Sequence, residues 1–192
     1  FFIKLILGLS FFNSAKLSLS PSPVYISLFI NCSRELKVIS ALYVAWRLTF
    51  CPDERILVVA DSGNGAVRFL NTVKQFLDRL PDWMLPEETL INNTKQISFS
   101  NGSWVKAVAS SKQAGRGESL TCLILDETAF IEHAQDIWMG AGLALAATQG
   151  KCIMISTPKG TGNLYHQTWT QANKGRGNFV PIKLHWSIHP IL

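Results

Sequence analysis

The sequence predicts an α/β fold in which a mostly parallel central sheet carries an antiparallel hairpin at its edge. From about residue 25 onward, short apolar runs typical of strands alternate with segments whose apolar residues recur at helical spacing. Hydrophobic residues make up 47% of the 192 positions and charged residues only 16%, which is typical of one well-buried domain. Asn101 and Gly102 separate two strand-like runs, and both residue types tolerate the positive φ of a tight hairpin turn.

Each element follows from a local pattern. The first strand is predicted over residues 24–31, and the apolar positions of residues 36–50 predict a helix that ends before Pro52. Ser62 is a favourable N-cap for the next helix, which Pro81 ends. The remaining predictions are strands at 55–60, 95–99, 104–109, 120–126, 151–156 and 179–186, helices at 134–148 and 164–173, and a polar loop at 110–119.

Two adjacent carboxylates, Asp126 and Glu127, follow the apolar run of residues 120–125. A buried parallel strand is nearly continuously apolar, and acids at such a place need a partner or a metal to offset their desolvation. Such a strand can deliver Asp126 to a phosphate-bound Mg²⁺ and Glu127 to an attacking water. It can equally be a strand end at which both carboxylates reach solvent or cap the next turn. The run alone favours neither interpretation.

Two hydroxyl residues, Ser156 and Thr157, end a second apolar run about thirty positions later. In a parallel sheet both strand ends emerge at the edge where open α/β sheets bind ligands. These hydroxyls could therefore hydrogen-bond a phosphate or a catalytic water. The alternative is an ordinary Ser/Thr turn before Pro158.

Arg116 lies between two glycines in the polar loop that precedes Asp126. An arginine presented in this way can reach a phosphoryl group in its own subunit or across an interface. It can also be a surface arginine in a flexible turn. Lys106, Lys112 and Arg116 could equally contact nucleic-acid phosphates.

The junction after the first predicted strand lacks the features of a phosphate-binding loop. Such a loop needs glycines, a lysine and a following Ser or Thr. Residues 33–40 read SRELKVIS, in which Arg34 and Lys37 supply positive charge but no glycine is present and no hydroxyl follows the lysine. On its own this segment predicts the start of a helix.

The net charge of +5 permits an acidic partner such as nucleic acid, although the charge is spread along the chain. The cysteines and histidines show no paired metal-ligand spacing, and cysteines inside apolar strands favour a reducing, cytoplasmic setting. Residues 1–32 are atypical, and their apolar run is too short to span a bilayer, which takes about 20 apolar residues. We expect the folded core to cover residues 33–192.

Four segments together resemble one family. They read SRELK from Ser33, LILDETAF from Leu123, ISTPKG from Ile155 and FVPIKLHW from Phe179. The combination is similar to the large terminase subunit of tailed bacteriophages, over about residues 33 to 190. The resemblance implies a three-layer P-loop NTPase fold of the ASCE/RecA-like type. It also implies an ATP- and Mg²⁺-dependent motor that pumps double-stranded DNA into a preformed capsid.

The resemblance also implies roles for individual residues. Asp126 would be the Walker B magnesium ligand and Glu127 the catalytic carboxylate. Ser156 and Thr157 would belong to the motif that couples hydrolysis to movement, and Arg116 would act on the nucleotide of a neighbouring subunit. Such motors work as rings on the portal protein with a small terminase subunit, in the host cytoplasm and transiently at the prohead.

The chain departs from the family pattern at the phosphate loop. Lys37 matches the Walker lysine only if about two residues, including a glycine and a threonine, are missing around it. We therefore expect poor ATP hydrolysis, with Arg34 and Lys37 as the remaining phosphate ligands. No nuclease domain is expected within the 192 residues. The alternatives are a helicase-type P-loop NTPase and a nucleic-acid binding or assembly module that keeps the fold without its chemistry.

Overall fold

The computed structural model describes residues 25–30, 33–86 and 88–184, with side chains over 36–86 and 88–183. Within these residues the chain forms eight strands and four α-helices. The strands are β1 (Tyr25–Ile30), β2 (Arg55–Ala60), β3 (Thr89–Asn92), β4 (Gln96–Phe99), β5 (Trp104–Ala109), β6 (Cys122–Asp126), β7 (Lys151–Ser156) and β8 (Phe179–Leu184). The helices are α1 (Ser33–Phe50), α2 (Gly63–Leu77), α3 (Ala134–Thr148) and α4 (Leu164–Asn173).

All eight strands form one sheet in the order β3-β4-β5-β2-β6-β7-β1-β8. The six strands from β5 to β8 in this order are mutually parallel. β4 runs antiparallel to both β5 and β3. The predicted parallel sheet and antiparallel edge hairpin are thus confirmed, and β3 is a further strand that the sequence pattern did not predict.

Helices cover both faces of the sheet, which confirms the predicted three-layer fold. Side chains alternate along each strand, so that Ile56 and Val58 of β2 pack with α1 and α2. Leu57 and Val59 of the same strand pack with α3 and α4 on the opposite face. The core therefore lies in two apolar layers with the sheet between them.

Helix boundaries follow the predicted signals. Ser62 is the N-cap of α2, and its hydroxyl oxygen accepts a hydrogen bond of 3.1 Å from the Gly65 amide. The helix buries a stripe of apolar residues and ends at Leu77, ahead of the predicted stop at Pro81. The bounds of α3 and α4 match the predicted helices.

β1 lies within the segment that the sequence analysis set apart as residues 1–32. Its residues 25–30 pair in parallel register with β7 on one side and β8 on the other, so the sheet includes residues that precede position 33. Residues 1–24 lie outside the described residues, as does the end of the predicted last strand, residues 185 and 186. None of the described helices is both long enough and apolar enough to cross a membrane.

A buried polar network fixes the C-terminal end of α1 to the start of β6. Arg47 pairs with Glu54 and donates a hydrogen bond of 2.9 Å to the Tyr43 hydroxyl. Thr121, immediately before β6, donates a hydrogen bond of 2.6 Å to the second carboxylate oxygen of Glu54. Arg47 and Glu54 are 8% and 6% exposed, so each charge depends on its partner. The network holds α1 against the strand that carries Asp126.

The two cysteines in the predicted strands behave as small apolar side chains. Cys122 of β6 and Cys152 of β7 are fully buried and carry free thiols. Burial raises the pKa of the Cys122 thiol to about 12 and the pKa of the Cys152 thiol well above its ordinary value.

Candidate functional site

The candidate site lies at the carboxyl edge of the parallel sheet, where β6 ends at Asp126. Asp126 is 1% exposed and pairs in register with Ala60 of β2 and Ile155 of β7. Glu127 then leaves the strand with φ 57° and ψ 47°, in the left-handed region. Non-glycine residues are uncommon in that region, and those that occur there are found disproportionately at functional sites. The chain thus makes a sharp turn between its two adjacent acids.

Lys37 joins the two acids. Its Nζ lies 3.3 Å from Asp126 Oδ2 and 3.3 Å from Glu127 Oε1. The lysine stands in the first turns of α1, which begins three positions after the end of β1. The structure therefore brings together three of the predicted site residues, although the segment around Lys37 contains no glycine.

The environment of Asp126 disfavours its charge. Burial raises the pKa of this carboxyl to about 6, and Lys37 offsets the rise only in part. The charges of Glu127 and Asp61 raise it further. Among the described residues, the buried Asp126 Oδ1 has no hydrogen-bond partner. One oxygen of the Asp126 carboxylate is therefore left without a partner among the described residues.

Ser156 and Thr157 lie beside the acids, because β7 is the strand next to β6. The Ser156 hydroxyl accepts a hydrogen bond of 3.0 Å from the Ala129 amide and donates one of 2.7 Å to the Thr157 carbonyl. The Thr157 amide donates a hydrogen bond of 3.4 Å to Glu127 Oε2. The sequence suggested that these residues reach a phosphate or water, whereas here they connect the loop after β7 to the loop after β6.

Two further contacts join the same loops. The Thr128 hydroxyl, which lies in the turn after β6, donates to the Leu125 carbonyl at 2.9 Å and lies 3.3 Å from the Ile155 carbonyl of β7. The ammonium of Lys159 lies 4.7 Å from the centre of the Phe130 ring. The loop that carries the acids and the loop after β7 are therefore joined by several contacts, among them the hydrogen bond from the Thr157 amide to Glu127.

Arg116 lies away from this cluster. Its side chain is exposed, and its stem packs against α3, where a Cβ added to Gly140 would lie 3.1 Å from Arg116 Cγ. Within the described ranges no ion pair joins Arg116 to Asp126 or Glu127. Gly115 has φ +79° and lies against the core. The loop therefore presents Arg116 on the outer flank of α3.

Arg34 belongs to the first turn of α1, and its side chain lies outside the described residues. The helix start that residues 33–40 predict is confirmed.

Asp61 is a third acid of the site that the sequence analysis did not identify. It directly follows β2, whose last residue pairs in register with Asp126. Its Oδ1 accepts a hydrogen bond of 3.3 Å from the Ser62 hydroxyl. The signal was present in the sequence, because an apolar run ending in an acid occurs at residues 55–61 as well as at residues 120–126.

The donor set suits Mg²⁺ bound together with phosphate. Within the described part of the chain, no group of three or more His, Cys, Asp or Glu residues is arranged to hold a metal. Mg²⁺ commonly takes only one or two carboxylates and completes its shell with water and substrate phosphates. Asp126, with its unpartnered buried oxygen, meets this requirement.

The structure closely matches ATPase domains of phage large terminases. The ATPase domain of the Thermus phage P74-26 large terminase superposes with a TM-score of 0.70 at 17% identity, over 90% of this chain and 80% of that one. A point mutant of that domain superposes with a TM-score of 0.67 at 18% identity, over 86% of this chain and 77% of that one. The fold is that of a large terminase ATPase domain.

A large terminase from another thermophilic bacteriophage, solved in complex with ADP, gives a TM-score of 0.62 at 14% identity. It matches over 95% of this chain but only 44% of its own length, so this chain corresponds to less than half of that terminase. No protein-family model matches the sequence. The likeness to these terminases therefore lies in the fold, at 14% to 18% sequence identity.

Proposed function

We propose that this chain is the ATPase motor portion of a viral terminase large subunit, which drives double-stranded DNA packaging into the capsid. The observation that carries the proposal is the position of Lys37, 3.3 Å from one oxygen of each acid, at the carboxyl edge of a terminase-type sheet. Basic and acidic groups converge there on the place where open α/β sheets bind nucleotides.

Each residue has a role that follows from its position. Asp126 would hold Mg²⁺ through its unpartnered oxygen, directly or through water. Glu127 would take a proton from the attacking water, and Lys37 would neutralise phosphate charge. Arg34 is assigned the same role as Lys37 from its place in the sequence, at the start of α1. When bound, Mg²⁺ neutralises charge that develops on the phosphate oxygens. Lys37 can serve this purpose only by leaving the two acids for the phosphates.

Ser156 and Thr157 link the state of the nucleotide to movement. Because the Thr157 amide donates to Glu127, any shift of the carboxylate toward a water or phosphate changes the loop after β7. The Ser156 hydroxyl transmits the same shift to the turn at Ala129. This pair is a coupling element rather than a phosphate ligand.

Arg116 acts on a neighbouring subunit. Its exposed position on the flank of α3 leaves its guanidinium available to a second copy in a ring. We assign the same assembly the partners expected of a packaging motor, namely the portal protein, the small terminase subunit and double-stranded DNA. Its place is the host cytoplasm, and transiently the prohead.

Hydrolysis by this chain is impaired. α1 begins at Ser33, three positions after Ile30, and no glycine lies between them. Fewer backbone amides can therefore surround a triphosphate than in a complete phosphate loop. The same observation favours a second candidate, an assembly module that keeps the motor fold and binds nucleotide without turnover.

Steady-state ATP hydrolysis tests the proposal and separates it from the second candidate. We expect slow, Mg²⁺-dependent turnover that the substitution Glu127→Gln lowers by about a hundredfold, because a general base contributes on the order of 10² to 10⁴. Glu132→Gln, which removes an exposed acid just beyond the turn, is the matched control and should leave turnover unchanged. Turnover as fast as that of a complete terminase motor domain would contradict the impairment. Turnover equal in both variants would contradict the role of Glu127.

A further inference from the structure

An open cavity lies on the side of the sheet that carries α3 and α4, at the amino ends of β2 and β5. It has a volume of about 280 Å³ and is lined by Arg55, Gln96, Trp104, Lys106, Glu118 and Ser119. Arg55 and Trp104 are the first residues of neighbouring parallel strands and pair in register. Asp126 instead pairs with Ala60 at the other end of β2, about 17 Å away along an extended strand. The cavity is therefore distinct from the candidate site described above.

Two charged side chains of the cavity each keep one unpaired polar atom. Lys106 lies 2.5 Å from Oε1 of Glu118, whereas Oε2 of the same carboxylate has no hydrogen-bond partner among the described residues. Nη2 of Arg55 lies 3.5 Å from Asp53, and Nε has no partner within the same residues. Both unpaired atoms are buried, and a buried polar atom without a partner is costly. One is an acceptor and the other a donor, so a ligand that presents a donor and an acceptor would satisfy both.

These side chains can turn toward a ligand in the cavity. Those of Arg55 and Glu118 are 31% and 27% exposed, and each has several rotatable bonds. Asp53 is 69% exposed, so its ion pair holds the guanidinium of Arg55 only weakly. Lys106 has three N–H donors and can contact an anion while it keeps Glu118. The cavity therefore also offers positive charge to an anionic group.

Trp104 gives the cavity a flat aromatic wall. Its indole is half-buried, packs against the apolar layer beneath α3 and α4, and lines the cavity. Planar ligands stack on such a face. A nucleobase is planar, carries donors and acceptors on its edge and is joined to a negatively charged phosphate. In a duplex the faces and the pairing edge of a base are already engaged, so this set of groups suits an unpaired base.

We propose that this cavity binds an unpaired base of single-stranded DNA. The base stacks on Trp104, and a flanking phosphate contacts Lys106. The edge of the base donates to Glu118 Oε2 and accepts a hydrogen bond from Arg55 Nε. This binding activity goes beyond the packaging of double-stranded DNA and does not use the carboxylates of the proposed ATPase site. Its failure would leave the proposed function intact.

Fluorescence anisotropy of a short, labelled oligodeoxycytidylate strand tests the proposal on the full 192-residue chain. An abasic strand of the same length keeps the phosphates and lacks the bases. The unmodified chain should bind the base-bearing strand about tenfold more tightly, because stacking of a base on an aromatic side chain contributes on that order. Trp104→Leu should abolish this preference. Trp104→Phe keeps an aromatic ring and should retain most of it.

Trp83→Leu is the matched control for the indole, because Trp83 is exposed and follows α2, which packs on the other face of the sheet. It should leave the preference unchanged. Lys106→Met should weaken binding of both strands by a similar factor, since it removes a phosphate contact. Lys151→Met removes the same charge from an exposed residue where β7 begins and should change neither affinity. Thermal unfolding confirms that each variant is folded.

Equal affinity of the unmodified chain for the base-bearing and abasic strands would overturn the proposal. An equal preference in Trp104→Leu and Trp83→Leu would do the same. Deoxycytidine monophosphate that competes as well as the strand would identify a free nucleotide, and not DNA, as the ligand. An equally large effect of Trp104→Leu on a duplex of the same sequence would contradict the requirement for an unpaired base.

Discussion

At the scale of one residue, the charged form of Asp126 lowers the stability of the folded protein. The carboxyl is 1% exposed, and burial raises its pKa from 3.8 to about 6. Its charged form is therefore disfavoured in the folded protein even with Lys37 beside it. A carboxyl in this environment is suited to a ligand that supplies more positive charge than one lysine.

The raised pKa predicts a pH dependence of stability. Between the unfolded value of 3.8 and the folded value of about 6, the folded chain binds more protons than the unfolded chain. The contribution of Asp126 to the free energy of unfolding therefore falls as pH rises through this window. Above it, Asp126→Asn should be more stable than the unmodified chain by on the order of 2 kcal/mol.

Urea unfolding across the same pH window measures this effect. In the unmodified chain, the free energy of unfolding should fall as pH rises through the window, in part because of Asp126. Asp126→Asn should lack that part of the fall, whereas Glu132→Gln, at an exposed acid, should keep it. An unchanged slope in Asp126→Asn would show that its carboxyl does not carry the raised pKa.

Sequence patterns predicted some site residues and could not predict others. Asp126 and Glu127 follow a strand of recognisable composition, so a local pattern was sufficient. Lys37 reaches them only through the tertiary fold, because about ninety positions separate it from the two acids. The sequence left open whether Ser156 contacts a phosphate, a water or an ordinary turn, and its contact with the Ala129 amide, 27 positions earlier, could not be predicted from a local pattern. Tertiary contacts of this kind leave no local signal.

At the scale of one element, α1 is the part that sets the geometry of the site. Lys37 near its start contacts the acids at the end of β6, and Arg47 near its end joins the network at the start of β6. Ten residues of helix rise about 15 Å, which is close to the length of a five-residue strand. Both ends of the helix are thus held: Lys37 contacts the acids at the end of β6, and Arg47 pairs with Glu54, to which Thr121 also donates.

The buried pair at the far end of α1 predicts an asymmetric response to mutation. Arg47→Met leaves Glu54 buried without its partner and should lower the free energy of unfolding by about 3 kcal/mol or more. The double variant Arg47→Met with Glu54→Leu removes both charges and should cost less than Arg47→Met alone. Chemical denaturation measures both, and a double variant less stable than the single one would contradict this account.

Elements differ in how far the sequence predicts them. β2 and β7 are apolar runs with clear boundaries, and both match the predicted residues. All four residues of β3 are exposed, and the strand joins the sheet only by pairing with β4. Its sequence therefore has no alternation of buried and exposed residues that would predict a strand. The Arg47 and Glu54 pair was also missed, because a charge seven positions from another predicts no contact on its own.

At the scale of the whole molecule, the chain shares the fold of the two Thermus phage ATPase domain structures, although its sequence identity to them is at most 18%. The fold alone does not assign an activity. The proposed function depends instead on the group of Lys37, Asp126 and Glu127 at the sheet edge. If that group is a nucleotide site, nucleotide binding must depend on the metal ligand and on the lysine.

Calorimetric titration of the chain with ATP, with and without Mg²⁺, tests this claim most directly. We predict weak but saturable binding that requires Mg²⁺ and that Asp126→Asn and Lys37→Met each reduce by about tenfold or more, as expected when a charged contact to phosphate or metal is lost. Lys151→Met should bind as the unmodified chain does. Absence of binding, or binding of equal strength in all of these variants, would contradict the assignment of this site to a nucleotide.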